Sequence, residues 1–433
     1  MPSLLRQDNE NGSTSPVKPT KLKGVDKVSA AIFDYGNFQA VAEKLAQSFE
    51  KMYYFSPFET EYQDIREYLI GRGMENVERV YDYLDPKFIE KVDLFIFPDI
   101  GFTSLQKYLR SIGKAVWGQM GGQELEMDRV SFYDAVKKAG LPVAPYEVVE
   151  GIDELRAYLQ DHDNKWIKIN RFRHNMETWH HLDYDHSERM LDSLSVTFGG
   201  AKNVPLFVVQ DEIDTDMEGG YDGWCIDGSF PSTSFQGYEK KNELYLGSLL
   251  KDEELPSPVR EVNEKMSPLL KKFGYRDWWA TEVRISDGKP FFIDPTPRMP
   301  GQTGEHQIEN LLNMAEVIWY GAHGIPIEPK WGWKFAAEAT LHYDALSHDD
   351  AVGKEWKTLE IPPEVEQWVK LAHYAKIDGI YQFVPAHNDE VGVVIGVGNS
   401  VQESLDNLKE NLDALEDTPV HANVHGFVDL LRS

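Results

Sequence analysis

The chain has 433 residues, with 72 Asp plus Glu against 44 Lys plus Arg and a formal net charge of −28. Such an acidic balance argues against nucleic acid or an anionic membrane as the main partner, because both repel it. A single cysteine, Cys225, rules out an internal disulfide and fits a reducing, cytoplasmic setting, and no apolar run has the length of a membrane span or forms a signal-peptide core.

Residues 1–24 are polar and rich in Ser, Asn, Pro and Lys, which predicts a disordered tail. From Lys27 the pattern changes. KVSAAIFDY reads as a strand ending in the turn Asp34-Tyr35-Gly36-Asn37, NFQAVAEKLAQSFEKM as a helix and MYYFSPF as a second strand. The mixed stretch from Ile65 to Tyr83 is predicted to contain a helix. VDLFIFPD is a strongly apolar strand, LQKYLRSIG a helix opened by Thr103-x-x-Gln106 in capping-box form, and KAVWGQ another strand. Strands alternating with helices predict a parallel α/β sheet, with functional loops at the strand C-termini near Asp34–Asn37 and Pro98–Thr103. Gly36 serves either close backbone approach to a ligand or a plain turn.

Glu124 to Ala139 is predicted to form one amphipathic helix closed by Gly140. KWIKIN (165–170) is a strand in which Lys168 lies between apolar neighbours. A lysine there is costly to bury unless partnered, so it either contacts a ligand or faces solvent from an edge. RFRHNMETWHH (171–181) is cationic, with Arg171 and Arg173. Its histidines His174, His180 and His181, with His186 beyond, are too irregularly spaced for zinc and have no cysteine nearby. LFVVQDEI (206–213) is a strand leading into an acidic connector, and Lys240 and Lys241 precede a further strand. EVNEKMSPLLKKFG is an amphipathic helix closed by Gly274.

WWATEVRI and KPFFIDP flank Ser286-Asp287-Gly288, a turn signal, and together predict a hairpin. Glu282 lies on its first strand and Asp294 ends the second. Antiparallel neighbours bring such carboxylates together, and a hard divalent cation between them relieves their repulsion. Thr296 adds an oxygen and Arg298 a positive fork, so the group reads as a Mg²⁺–phosphate site; the alternative is a hairpin with solvated acids. A glycine-broken loop and one long helix are predicted after Arg298, with Glu305 and His306 at its start serving either capping or substrate contact. Beyond Pro329, FAAEATLHYDAL and KLAHYAKIDGIYQFVP read as strands, and GVVIGVGNS leads into a helix opened by the capping box Ser400-x-x-Glu403. Gly396-x-Gly398 lacks the third glycine of a dinucleotide fingerprint.

An acid, a turn, then acid-x-polar-x-Arg on the next strand resembles the metal-binding end of the ATP-grasp superfamily. Within it the likeness is to carboxylate–amine ligases of the phosphoribosylamine–glycine ligase type. The usual Glu…Glu-x-Asn stands here as Glu282…Asp294-x-Thr296. The resemblance implies an α/β and α+β multidomain fold: a parallel α/β pre-ATP-grasp domain over 25–123, the ATP-grasp domain over 124–330 with its lid at about 145–210, and a small α+β extension over 331–433. It implies ATP and Mg²⁺, with Glu282, Asp294 and Thr296 as metal ligands and Arg298 and Lys168 as the catalytic cations. Arg129 takes the position of a family phosphate-binding lysine. Gln210, Asp211, Glu212 and Ile213 form the adenine hinge, and Glu218 is the ribose acid. The implied reaction joins a small-molecule carboxylate to an amine through an acyl phosphate, and a homo-oligomer is left open. Two alternatives stand beside it. One is an ATP-grasp kinase that stops after phosphorylation. The other, drawn from the absent glycine-rich phosphate loop at 171–181, binds nucleotide or a partner without turnover.

Overall fold

A computed structural model describes residues 22–57, 67–171, 178–215, 217–240, 243–301, 304–346, 357–383 and 389–424. The expected tail (residues 1–21 of it), Arg173, His174 and Lys241 lie outside these, as does the side chain of Lys240.

Strands β1 (Ser29–Phe33), β2 (Lys51–Phe55), β3 (Val77–Arg79), β4 (Leu94–Ile96) and β5 (Ala115–Trp117) form a parallel sheet in the order β3-β2-β1-β4-β5. Ala30 and Ile32 pack into one core and Ala31 and Phe33 into another, so both faces are covered and the strand is apolar throughout. Helices α1 (Gln39–Ala46), α2 (Pro86–Lys91) and α3 (Thr103–Ser111) complete the unit. The strand order reverses between β1 and β4, which opens a crevice beyond their carboxyl ends.

Three local expectations fail here. The first helix stops at Ala46, because Lys51 and Met52 are needed in β2. Among its described residues, Ile65–Tyr83 holds a 3₁₀ turn at Glu67–Leu69 and β3, and no α-helix. Thr103 does not cap α3: its hydroxyl donates to the Met120 carbonyl at 2.8 Å, and Gln106 is buried against Gln119 and the Met120 amide, fixing the loop after β5.

The predicted helix over 124–139 breaks into α4 (Glu124–Met127) and α5 (Arg129–Lys138). Asp128 is extended (φ −128°, ψ 95°), and its carboxylate accepts the Ser131 amide at 3.1 Å as the N-cap of α5. Next, β6 (Tyr146–Glu150), β7 (Lys165–Ile169), β8 (Thr178–His181) and β9 (Leu206–Asp211) pair antiparallel in the order β6-β9-β7-β8. Their core joins Ile167, Ile169, Phe207 and Val209 to α6 (Ile152–Leu159) and α7 (Tyr184–Phe198).

The largest sheet begins with β10 (Met217–Ile226), β11 (Thr233–Lys240) and β12 (Leu244–Lys251). Lys240 therefore ends β11 and stands ahead of β12, as expected. Helix α8 (Ser257–Phe273) packs Val259, Val262, Met266 and Leu270 under β13 (Arg276–Ser286) and β14 (Lys289–Thr296), and left-handed Gly274 closes it. Asp287 (φ 51°) and Gly288 (φ 70°) make the hairpin turn, whose twist matches the strands it joins. The long helix expected after Arg298 is two, α9 (His306–Asn310) and α10 (Met314–Ala322), because Leu311 leaves the helix at ψ 91°.

β15 (Phe335–His342), β16 (Lys357–Leu359), β17 (Val369–Leu371), β18 (Tyr374–Ile377), β19 (Ile380–Phe383), β20 (Glu390–Gly398), α11 (Val401–Asp413) and β21 (His421–Ala422) follow. The nine-stranded sheet runs β14-β13-β10-β11-β12-β15-β20-β17, with β21 on β15, so the C-terminal strands extend the sheet that carries the hairpin. The small sheet β16-β19-β18 docks on the N-terminal unit, where Gln39 exchanges two hydrogen bonds with the Tyr374 backbone. Ser400 caps α11 as expected, accepting the Glu403 amide at 3.1 Å. Among the described residues, no helix is long and apolar enough to cross a membrane.

Candidate functional site

Glu282 on β13 stands opposite Asp294 on β14. Immediately past them the register slips: Val283 pairs with Phe292, and Ile293 is skipped. This bulge lets Val283 and Phe292 face the core under α8 while Glu282, Asp294 and Thr296 line a cavity of about 560 Å³. Arg298 lines the same cavity, as do Asn37 and Asp99 from the loops after β1 and β4. The hairpin end therefore meets the crevice of the parallel sheet.

Arg298 donates from Nε to Glu126 at 3.1 Å and lies 3.8 Å from Asp99. Burial opposes its charge, but Glu126 and Asp99 outweigh that and hold the pKa above its already high value. The cation is permanent. Among the described residues no three His, Cys, Asp or Glu side chains gather into a metal-holding group. Mg²⁺ asks for less, one or two carboxylates completed by phosphate oxygens and water, and Glu282, Asp294 and Thr296 fit that donor set.

Lys168, 8% exposed, is not an edge lysine in solvent. Its ammonium donates to the Tyr133 hydroxyl at 3.1 Å and to the carbonyl of Ile293, the bulged residue, at 3.3 Å. Tyr133 in turn donates to Gln210 at 3.0 Å. Arg129, almost fully buried, donates to Asp294. Arg129, Lys168 and Gln210 are thus tied to the hairpin end through one network.

The other residues expected at the hinge, and Glu218, gather elsewhere. Glu212 accepts from Arg284 at 3.0 Å and from the Trp166 indole, and Glu218 accepts from Arg284 at 2.9 Å. Trp166 stacks on His180 at 4.7 Å, and Arg284 lies over the Trp166 ring at 5.5 Å. Asp211 pairs with Lys165, and Ile213 is buried. None of Arg129, Lys168, Gln210, Glu212, Ile213 or Glu218 lines the cavity that holds Glu282. Arg171 reaches Asp128 at 2.6 Å. The histidines have separate partners: His180 with Asn164, His181 with Ser187 and His186 with Asp183. Gly36 (φ 103°) is shaped by the protein itself, since a Cβ there would come 2.7 Å from the His373 ring.

Solved structures share this architecture. Thermotoga maritima phosphoribosylamine–glycine ligase matches with a TM-score of 0.64 at 17% identity, over 92% of this chain and 98% of that one. The chain has the ATP-grasp fold. Also similar are the biotin carboxylase domain of Hydrogenobacter thermophilus 2-oxoglutarate carboxylase, solved with MgADP, ADP and bicarbonate (0.63, 13%, 92% and 91%), and Staphylococcus aureus N5-carboxyaminoimidazole synthetase complexed with ADP (0.57, 14%, 90% and 98%). At these identities the likeness is one of fold. No protein-family model and no curated protein matches the sequence.

Several residues of these clusters escape a reading of the sequence. Arg284 follows Glu282 by two positions, and Trp166 precedes Lys168 by two, so strand alternation puts each pair on one face. That was the available signal. Glu126, Asp222 and Glu239 line the cavity from distant segments, and nothing local marks them. Burial pushes the Asp222 carboxyl up to about 7, although Tyr245 donates to it at 3.0 Å.

Proposed function

We propose that the protein is an ATP-dependent ligase that joins a small-molecule carboxylate to an amine through an acyl phosphate. The observation that carries this reading is the Glu282–Asp294 pair standing with Thr296 and Arg298 on the wall of one cavity, on an ATP-grasp fold. Relatives in fold were solved with ADP or MgADP, which supports ATP and Mg²⁺ here. Bound at Glu282, Asp294 and Thr296, Mg²⁺ would neutralise phosphate charge. Lys168 and Arg129 approach the hairpin end from the β7 and α5 side and would hold the nucleotide phosphates. Arg298 would stabilise the charge that develops as the γ-phosphoryl moves to a carboxylate oxygen and ADP departs. An amine nitrogen then attacks the acyl carbon, and an amide forms as phosphate and a proton leave. No protein nucleophile is required. The division at 25–123, 124–330 and 331–433, with a lid at about 145–210, belongs to the same proposal.

ADP release, screened against panels of carboxylates and amines, tests it. Glu282→Ala should lower the rate on the order of 100-fold or more, and an unchanged rate overturns the assignment. Release that needs a carboxylate but no amine indicates the kinase. A second reading, nucleotide or partner binding without turnover, is favoured by the way Arg284 already holds both Glu212 and Glu218. It predicts ATP binding without ADP release under any combination.

A further inference from the structure

From Arg298 a chain of polar contacts crosses the cavity wall into the C-terminal part of the protein. Asp99 divides its carboxylate oxygens. Oδ1 accepts the Ile100 amide at 2.8 Å and lies 3.8 Å from Arg298 Nε, while Oδ2 accepts the Asn37 side-chain amide at 2.9 Å. The other end of that amide, Asn37 Oδ1, lies 2.8 Å from Nε2 of His373. All four residues line the cavity that holds Glu282. Asn37 and Asp99 stand on the loops after β1 and β4, where the reversal of strand order opens the crevice.

Each member fixes the orientation of the next. A carboxylate accepts and does not donate, so the Asn37 amide turns its nitrogen to Asp99 and its oxygen to His373. An amide oxygen also only accepts, so His373 carries its proton on Nε2. Burial holds the His373 ring down to about 4, which leaves it neutral with that one proton to donate. The backbone beneath it is unusual. His373 lies between β17 and β18 with φ 54°, a left-handed conformation sparsely populated by residues with a side chain. It is held there from both sides: its own amide donates to the Gly36 carbonyl at 2.7 Å, and the next residue, Tyr374, exchanges two hydrogen bonds with Gln39. The result delivers one imidazole to the cavity.

We propose that His373 is a positioning residue of this site: its Nε2 proton orients Asn37, Asn37 orients Asp99, and Asp99 with Glu126 aims the Arg298 guanidinium. A residue from the C-terminal segment thereby sets the cation that faces the transferring phosphoryl group. Its effect on turnover rests on the ligase reading, whereas the relay to Arg298 does not.

Three variants of the full-length protein test this. His373→Phe keeps a ring and removes the donor, and His373→Gln restores an N–H donor. Asn37→Ala cuts the relay at an exposed side chain whose backbone amide stays bound to Asp34. In ADP release, His373→Phe and Asn37→Ala should each lower kcat about tenfold or more. KM for ATP and the melting temperature should stay near those of the unaltered protein, because Lys168 and Arg129 are untouched. His373→Gln should regain most of the rate, and the double variant should be no slower than the slower single one. Two nuclear magnetic resonance signals need no turnover. The His373 ring nitrogens of the unaltered protein should show the Nε2–H tautomer. The Arg298 Nε proton should exchange with water at least about tenfold faster in His373→Phe than in His373→Gln. A ring protonated on Nδ1, an Arg298 signal indifferent to His373, or losses that multiply in the double variant overturn the inference. So does a rate that follows the melting temperature and is not rescued by glutamine. No ADP release by the unaltered protein with any carboxylate and amine sinks the ligase reading, and the two signals then decide the relay by themselves.

Discussion

Lys168 and Arg298 are buried cations answered in different ways. The two hydrogen-bond acceptors of Lys168, the Tyr133 hydroxyl and the Ile293 carbonyl, are neutral. They survive its removal without leaving a stranded charge. Lys168→Ala is therefore expected to weaken ATP binding by about tenfold or more, or 1.4 kcal/mol, while the melting temperature moves little. Calorimetry decides it, and unchanged affinity counts against the nucleotide role. Arg298 sits against Glu126, which is buried, and Asp99. Its removal strands carboxylates in a dry setting. Arg298→Met should cost about 3–5 kcal/mol in denaturant unfolding, and adding Glu126→Gln should recover part of it. Simple additivity of the two changes would show that the pair is not coupled.

At the scale of elements, the close approach of β10 to β13 positions Glu282. A Cβ at Gly220 would lie 2.6 Å from the Thr281 carbonyl, and Gly220 is the cross-strand partner of Glu282. Gly220→Ala should destabilise the protein by about 1–3 kcal/mol and reduce ADP release in protein that remains folded. Normal turnover would mean that the proposed metal site tolerates a shifted strand. Asp128 separates α4 from α5 by capping the second. Asp128→Ala should cost about 1 kcal/mol of stability, read from denaturant melts. Hydrophobic periodicity ran through this break, because Asp128 followed three positions later by Ser131 is a weak signal beside an apolar stripe. The same holds at Leu311, where the helical pattern continues and the backbone does not.

For the whole molecule, buried groups of opposite kind set the pH range of stability. Burial raises Asp222 from 3.8 to about 7 and Asp34 from 3.8 to about 6. The folded state keeps protons that the unfolded chain has released, so stability falls as pH rises through that window. Burial lowers His306 from 6.5 to about 3 and His373 from 6.5 to about 4. The folded state there refuses protons that the unfolded chain takes up, so stability falls as pH drops below 6.5. Between about pH 4 and 6 the two trends oppose one another, so thermal melting should show the fall towards pH 7 as an upper flank, which Asp222→Asn flattens. An upper flank unchanged in that variant would place its cause elsewhere.

The sequence by itself determined what depends on neighbours along the chain. Alternating apolar runs and a Ser-Asp-Gly turn bring Glu282 opposite Asp294, because strand periodicity and turn geometry act over a few residues. The same locality made the parallel sheet and the α8 stripe legible. Tertiary structure alone decided the rest. Arg284 joins Glu212 to Glu218, and Asp222, Glu239 and Glu390 line one cavity with the hairpin acids, since the pairing of β10, β11 and β20 spans long stretches of chain. Which carboxylates share a cavity is set by strand order and register across the sheet, and no spacing in the sequence encodes that.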